Sequence, residues 1–108
     1  MKLSMMINYI SDFQSSAKQV VELEKVGLDM VWVAEAYSYD SISQIGYLAA
    51  VTNKLEIGTG IINVYSRTPA LVAMTAAGCD YVSNGRFVLG LGACLLYTSD
   101  AADDLLCV

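Results

Sequence analysis

An α/β fold of parallel strands joined by helices is the fold class the sequence predicts, and three observations predict it. Strand-like runs begin at Lys2, Asp29, Lys54 and Arg86, spaced 27, 25 and 32 residues apart, the repeat of a strand plus its crossover helix. Each run is apolar on nearly every residue, as expected of strands covered on both faces. Between them lie stretches that open on helix N-caps and close on Gly or Asn. The 108 residues, 56% hydrophobic and 16% charged, suffice for one small domain with ample core.

Residues 2–9 form the first strand. Ser11 opens a helix, with Gln14 three residues on completing a capping-box pattern. Phe13, Ala17, Val20 and Val21 share a face of it, and Gly27 suits the C′ position. Residues 29–35 are the second strand. Asp40 then caps a helix carrying Ile42, Ile45, Leu48 and Ala49, and Asn53 can end it in the left-handed conformation. The third strand starts at Lys54 with Leu55, Ile57 and Thr59. Gly58 and Gly60 sit where it should end, which marks a bulge or a ligand meeting bare backbone. Thr68 as N-cap and Pro69 at the first helical position begin a helix to about Val82, with Leu71, Met74, Thr75 and Gly78 on one face. Asn84-Gly85 turns the chain into the fourth strand, residues 86–93.

Parallel strands joined by helices leave an open doubly wound sheet or a (β/α) barrel. The first strand–helix junction, Tyr9-Ile10-Ser11-Asp12, has no glycine-rich phosphate loop, so the dinucleotide fingerprint is missing. Gly90-Leu91-Gly92-Ala93 imitates one, but no helix starting with a third Gly follows. A barrel places function at the carboxyl ends of its strands: Asn8 and Tyr9, Glu35 with Tyr37 and Tyr39, residues 60–63, and Gly92 with Ala93. Glu35 there is a general acid–base, a cofactor-positioning group, or a strand-end carboxylate bonded to backbone. Tyr37 and Tyr39 suit stacking on a ring or packing of the rim. Arg67 suits an anionic group or a solvated helix start. Glu56 reads as inward-facing structure, Trp32 and the methionines as core, and Cys79 as inert core. The barrel's inner face is either Met5, Val31, Ile57 and Val88 with their neighbours or the residues alternating with them; both sets are largely apolar.

A net charge of −5 argues against nucleic acid, and no Lys/Arg cluster or long apolar run serves a membrane. The amino terminus is interrupted by Asn8, Ser11 and Asp12, too early for a signal peptide. A cytoplasmic, soluble protein is therefore expected. With no His in the chain, histidine-based acid–base and metal chemistry are excluded within it, and no metal is expected.

Several segments together resemble the bacterial-luciferase-like monooxygenase superfamily. They are Trp32-Val33-Ala34-Glu35-Ala36-Tyr37, Gly46-Tyr47-Leu48-Ala49-Ala50-Val51-Thr52, Ile57-Gly58-Thr59-Gly60-Ile61, Arg67-Thr68-Pro69-Ala70-Leu71-Val72-Ala73-Met74-Thr75-Ala76-Ala77 and Asn84-Gly85-Arg86-Phe87-Val88-Leu89-Gly90-Leu91-Gly92. Within it the chain is most similar to oxidoreductases using the deazaflavin coenzyme F-420, the methylenetetrahydromethanopterin reductase-like group. Many flavin-using relatives carry Glu-His-His after the second strand, where this chain has Glu35-Ala36-Tyr37.

The resemblance implies that residues 1–93 are the N-terminal half, about four βα units, of a TIM (β/α)8 barrel. It implies hydride transfer between coenzyme F-420 and a small-molecule substrate by a homo-oligomeric full-length enzyme, the fragment alone being inactive. An FMN-dependent monooxygenase on the same barrel is the alternative, and a non-catalytic flavin-binding or structural half-barrel the second. By the same resemblance a bulge at Gly60-Ile61 holds a non-prolyl cis peptide supporting the rear face of the ring, and Asn8, Tyr37, Asn63 and Gly92 join Gly60 and Ile61 in binding the cofactor, with Glu35 as the catalytic candidate. Residues 94–108 depart from the family pattern and look like the translation of a transposon-end sequencing adapter. Without them the chain has 6 basic and 8 acidic residues and the single Cys79, which suits a reducing compartment.

Overall fold

The computed structural model describes residues 1–7, 12–36 and 38–93. In chain order its elements are β1 (Ser4–Ile7), α1 (Phe13–Lys25), β2 (Met30–Val33), α2 (Ser41–Val51), β3 (Glu56–Thr59) and β4 (Ile62–Asn63). A 3-10 turn (Val64–Ser66), α3 (Pro69–Val82), β5 (Phe87–Val88) and β6 (Leu91–Gly92) complete it. Strands β1, β2, β3 and β5 make one parallel sheet in that order. Ile7, Val31, Val33, Leu55 and Ile57 meet Ala17 and Val20 of α1, Ile45, Leu48 and Ala49 of α2, and Cys79 of α3 in a single buried cluster. Strands in chain order with all three described helices on one face are wound as a barrel. A doubly wound sheet reverses its strand order and carries helices on both faces.

The register separates the two faces. Met5, Val31, Ile57 and Phe87 lie side by side across the sheet, and this row packs against the helices. The adjacent row, Met6, Trp32, Gly58 and Val88, faces the other way, with Met6 51% exposed. The inner face is thus the alternating set. Val88 belongs to it because Phe87, not Val88, pairs with Ile57. Trp32, expected in the core, instead stands on this inner face half-buried. A Cβ on Gly58 would lie 2.7 Å from the indole Cζ3, so glycine there lets the ring lie against the sheet.

Local chemistry explains most of the element ends, and some differ from expectation. Asp12 stands at the N-cap position of α1 without a side-chain cap bond, its Oδ2 accepting the Ser15 hydroxyl at 2.7 Å; Ser11 lies outside the described residues. Gly27 (φ +110°) follows the helix end in the left-handed region. Asp40 caps α2 through the Ser43 N–H at 2.9 Å, and Thr68 caps α3 through the Leu71 N–H at 3.1 Å. Asn53 does not end α2 in a left-handed conformation. Thr52 is the C-cap, and the Glu24 carboxylate takes the N–H groups of Asn53, Lys54 and Leu55 at 2.8–3.1 Å. The inward face of α3 is Val72, Thr75, Ala76 and Cys79, leaving Leu71, Met74 and Gly78 exposed. The helix is apolar nearly all round, so its sequence had no polar stripe to show which side turns outward. Asn84 (φ 56°) and Gly85 (φ 81°) form the expected turn.

Candidate functional site

The third and fourth strands are each interrupted, and the interruptions face one another. β3 ends at Thr59 and resumes as β4 at Ile62, and β5 resumes as β6 at Leu91, with β4 and β6 paired in parallel. The Gly60-Ile61 bulge stands in the gap, and its peptide bond is cis. Neighbours pin it on both sides: the Gly60 N–H donates to Val33 O at 2.9 Å, and the Ile62 N–H donates to Gly90 O at 3.0 Å. The buried Thr59 hydroxyl donates to Gly90 O at 2.8 Å and accepts the Gly90 N–H at 2.7 Å. A Cβ on Gly90 would strike the Thr59 carbonyl oxygen, and one on Gly92 would strike Ile61 Cδ1. The two glycines of the fourth strand are therefore the space into which the bulge fits.

Beside the bulge the rim is polar. Asn63 Oδ1 accepts the Tyr65 N–H at 2.8 Å, and the Ser66 hydroxyl donates to Asn63 O at 2.8 Å, closing the 3-10 turn. Arg67 follows, and its guanidinium forks onto Glu35: Nη1 to Oε1 at 2.8 Å and Nη2 to Oε2 at 2.9 Å. Both side chains are largely buried, 12% and 14% exposed. Glu35 Oε2 also accepts the Ser41 N–H at 2.7 Å and the Ser41 hydroxyl at 3.1 Å, at the first residue of α2. Burial pushes the Glu35 carboxyl up, but hydrogen bonds from Arg67 and Ser41 and the Arg67 charge outweigh it, so the group sits below the usual glutamate range. The same pair, against the cost of burial, raises Arg67. A carboxylate so held is ionised at neutral pH and braced at both oxygens. Glu35, Ser38, Tyr39, Asp40, Asn63, Ser66, Arg67 and Leu71 line a cleft of about 350 Å³ here.

Of the residues the sequence singled out, the structure brings Gly60, Ile61, Asn63 and Gly92 together at adjoining strand ends and sets Glu35 on the neighbouring loop. Asn8, Tyr37 and residues 94–108 lie outside the described residues. Glu56 pairs with Lys2 at 3.1 Å, far from this rim in the sheet register. Ser41, Thr59 and Gly90 were missed. Thr59 and Gly90 are joined across 31 residues, and no local spacing announces such a pair.

A half barrel with its polar rim and bulge at the strand carboxyl ends is the class of protein these features define. The sequence profile of the luciferase-like monooxygenases matches residues 1–95, and the chain belongs to that family. It is 35% identical over 94 residues to a Mycobacterium tuberculosis protein provisionally named a coenzyme F-420-dependent oxidoreductase, over 85% of this chain and 27% of that one. The solved coenzyme F-420-dependent tetrahydromethanopterin reductase of Methanopyrus kandleri superposes with a TM-score of 0.79 at 25% identity, over 94% of this chain and 28% of that one. The oxygenating constituent of 3,6-diketocamphane monooxygenase from Pseudomonas putida, solved with FMN, shares the fold with a TM-score of 0.80 at 18% identity, over 98% of this chain and 32% of that one. The chain thus spans about a third or less of each of these proteins, and its sheet is the N-terminal half of a (β/α)8 barrel. Among the described residues no helix is long and apolar enough to cross a membrane.

Proposed function

We propose that the whole protein is a coenzyme F-420-dependent oxidoreductase, with the deazaflavin ring seated against the Gly60-Ile61 bulge. The carrying observation is that bulge, set at the carboxyl end of the third barrel strand and fixed by Val33, Thr59 and Gly90. The residues present fit a flat, uncharged ring. Around Gly60 the nearest side-chain atoms come from Met6 and Trp32, and the bulge lies between polar turn and apolar inner row. When bound, the coenzyme supplies the hydride-transfer chemistry. This chain's part is to support one face of the ring with backbone, to wall the inner side with Met6 and Trp32, and to hold Asn63 at the rim. Donor and acceptor are then kept in line and water is displaced. The substrate is a small molecule. FMN is the alternative occupant, since a solved FMN complex has the same fold.

The test is titration of the full-length protein with coenzyme F-420 and with FMN, followed by the visible spectrum of the bound form. F-420 should bind, and Gly60→Val should abolish binding while the protein stays folded. A Cβ at Gly60 already lies 3.3 Å from Met6 Cε and 3.4 Å from Trp32 Cβ, so the γ-methyls of valine crowd the ring's seat. Unchanged affinity in a folded Gly60→Val protein would remove the bulge from the mechanism. Binding of FMN alone would transfer the reading to the flavin monooxygenases.

A further inference from the structure

We infer that Glu35 and Arg67 form a positioning clamp, holding residues 63–68 against the amino terminus of α2 and so setting how the bulge presents its backbone to the ring. The inference rests on the function proposed above. The link runs without a gap. Ile62 is tied to Gly90; Asn63 is tied to Tyr65 and Ser66; Arg67 forks onto Glu35; and Glu35 is tied to both the N–H and the hydroxyl of Ser41. A shift of Arg67 is therefore passed to Asn63 and from there to the bulge. The planar guanidinium suits this task, because two parallel bonds fix direction as well as distance.

The clamp acts on the rim more than on the fold. None of its members belongs to the buried apolar cluster. An ion pair of this kind also adds little net stability over apolar contact. Glu35 and Arg67 both line the rim cleft, as does Asn63. In this reading Glu35 is a positioning residue and touches no reacting atom.

The experiment uses the full-length protein with three variants: Arg67→Lys, Glu35→Gln, and the double variant Glu35→Gln with Arg67→Gln, which leaves neither charge unpaired. Affinity for coenzyme F-420, the thermal midpoint, and hydrogen exchange at the Ser41 and Tyr65 amides are measured for each. Losing one charge-assisted bond should weaken binding about tenfold or more. Both amides should exchange faster. Glu35→Gln strands the Arg67 charge and should lower the midpoint, whereas the double variant should recover most of the midpoint yet bind as poorly as the singles. Faster exchange at both amides with unchanged affinity would overturn the clamp. So would affinity restored in the double variant, which would trace the loss to a stranded charge. If the unmodified protein binds neither F-420 nor FMN, the functional reading itself fails, an outcome distinct from either of these.

Discussion

At the scale of the residue, one buried carboxylate shows how a single side chain closes a turn. Glu24 is only 6% exposed, yet it takes three successive backbone N–H groups at the entrance to β3. Burial alone raises its proton affinity, but the N–H groups of Lys54, Leu55 and Asn53 and the charge of Arg86 outweigh it, and the carboxyl sits below its ordinary value of 4.5. As pH falls through that ordinary value the unfolded chain takes up a proton first, so the stability Glu24 contributes is complete above it. That stability is lost as pH drops through the lower folded-state value. Glu35, lowered as well, adds to the loss in the same direction. Urea midpoints of the full-length protein should therefore decline below about pH 4.5. Glu24→Gln should cost about 2–3 kcal/mol at neutral pH, as a buried set of donors loses its charged acceptor, and should flatten the acid decline. A variant as stable as the parent at pH 7 would show the turn to be held by other contacts.

At the scale of the element, the N-caps of α2 and α3 and the inward faces of α1 and α2 were legible, and the inward face of α3 was not. Asp40, Thr68-Pro69 and Asn84-Gly85 act through neighbours one to three residues away, so the sequence displays them. The side of α3 that turns inward depends on where α2 and the sheet lie, and a helix apolar all round conceals that choice. The break of the fourth strand was equally hidden, because Gly90 yields to Thr59 across the sheet. The bulge site was legible only through resemblance; two glycines in a strand suggest a bulge without saying what it supports. Arg86 is the clearest case of a role written nowhere in its own surroundings. Its guanidinium bonds Ala49 O, Thr52 O, Thr52 Oγ1, Leu55 O and Ser83 O, joining the end of α2, the start of β3 and the end of α3. Arg86→Lys cannot span that fan of carbonyls and should destabilise by about 2–4 kcal/mol in urea unfolding, with several buried acceptors left unpaired. A loss within about 0.5 kcal/mol, the range of ordinary surface changes, would show the fan to be dispensable.

At the scale of the whole molecule, the sheet is covered by helices on one side and open on the other. Met6, at 51% exposed, marks the open side. An apolar face of this kind promotes association, and among the described residues β1 and β5 are the outer strands of the four-stranded sheet. A phosphate site in barrels of this fold is often built after the seventh and eighth strands. The 108-residue chain alone is accordingly expected to self-associate and to bind neither coenzyme F-420 nor FMN at micromolar concentration. Sedimentation and titration of the purified chain check both points. A soluble monomer that binds either ring at that level would show the half barrel to be self-sufficient.

The open face also holds the chain's one tryptophan. Trp32 lies against Gly58, and its Cβ borders Gly60, so a single indole stands between the barrel interior and the bulge. Whatever fills the interior replaces water at that indole, and any coloured ring seated on the bulge comes within range to drain its excited state. The molecule thus carries its own lamp: the part of the full-length protein's emission that Trp32→Phe removes should shift to the blue when the face is covered and dim when a chromophore docks. Closure and occupancy can then be followed separately, by colour and by brightness, without attaching a label.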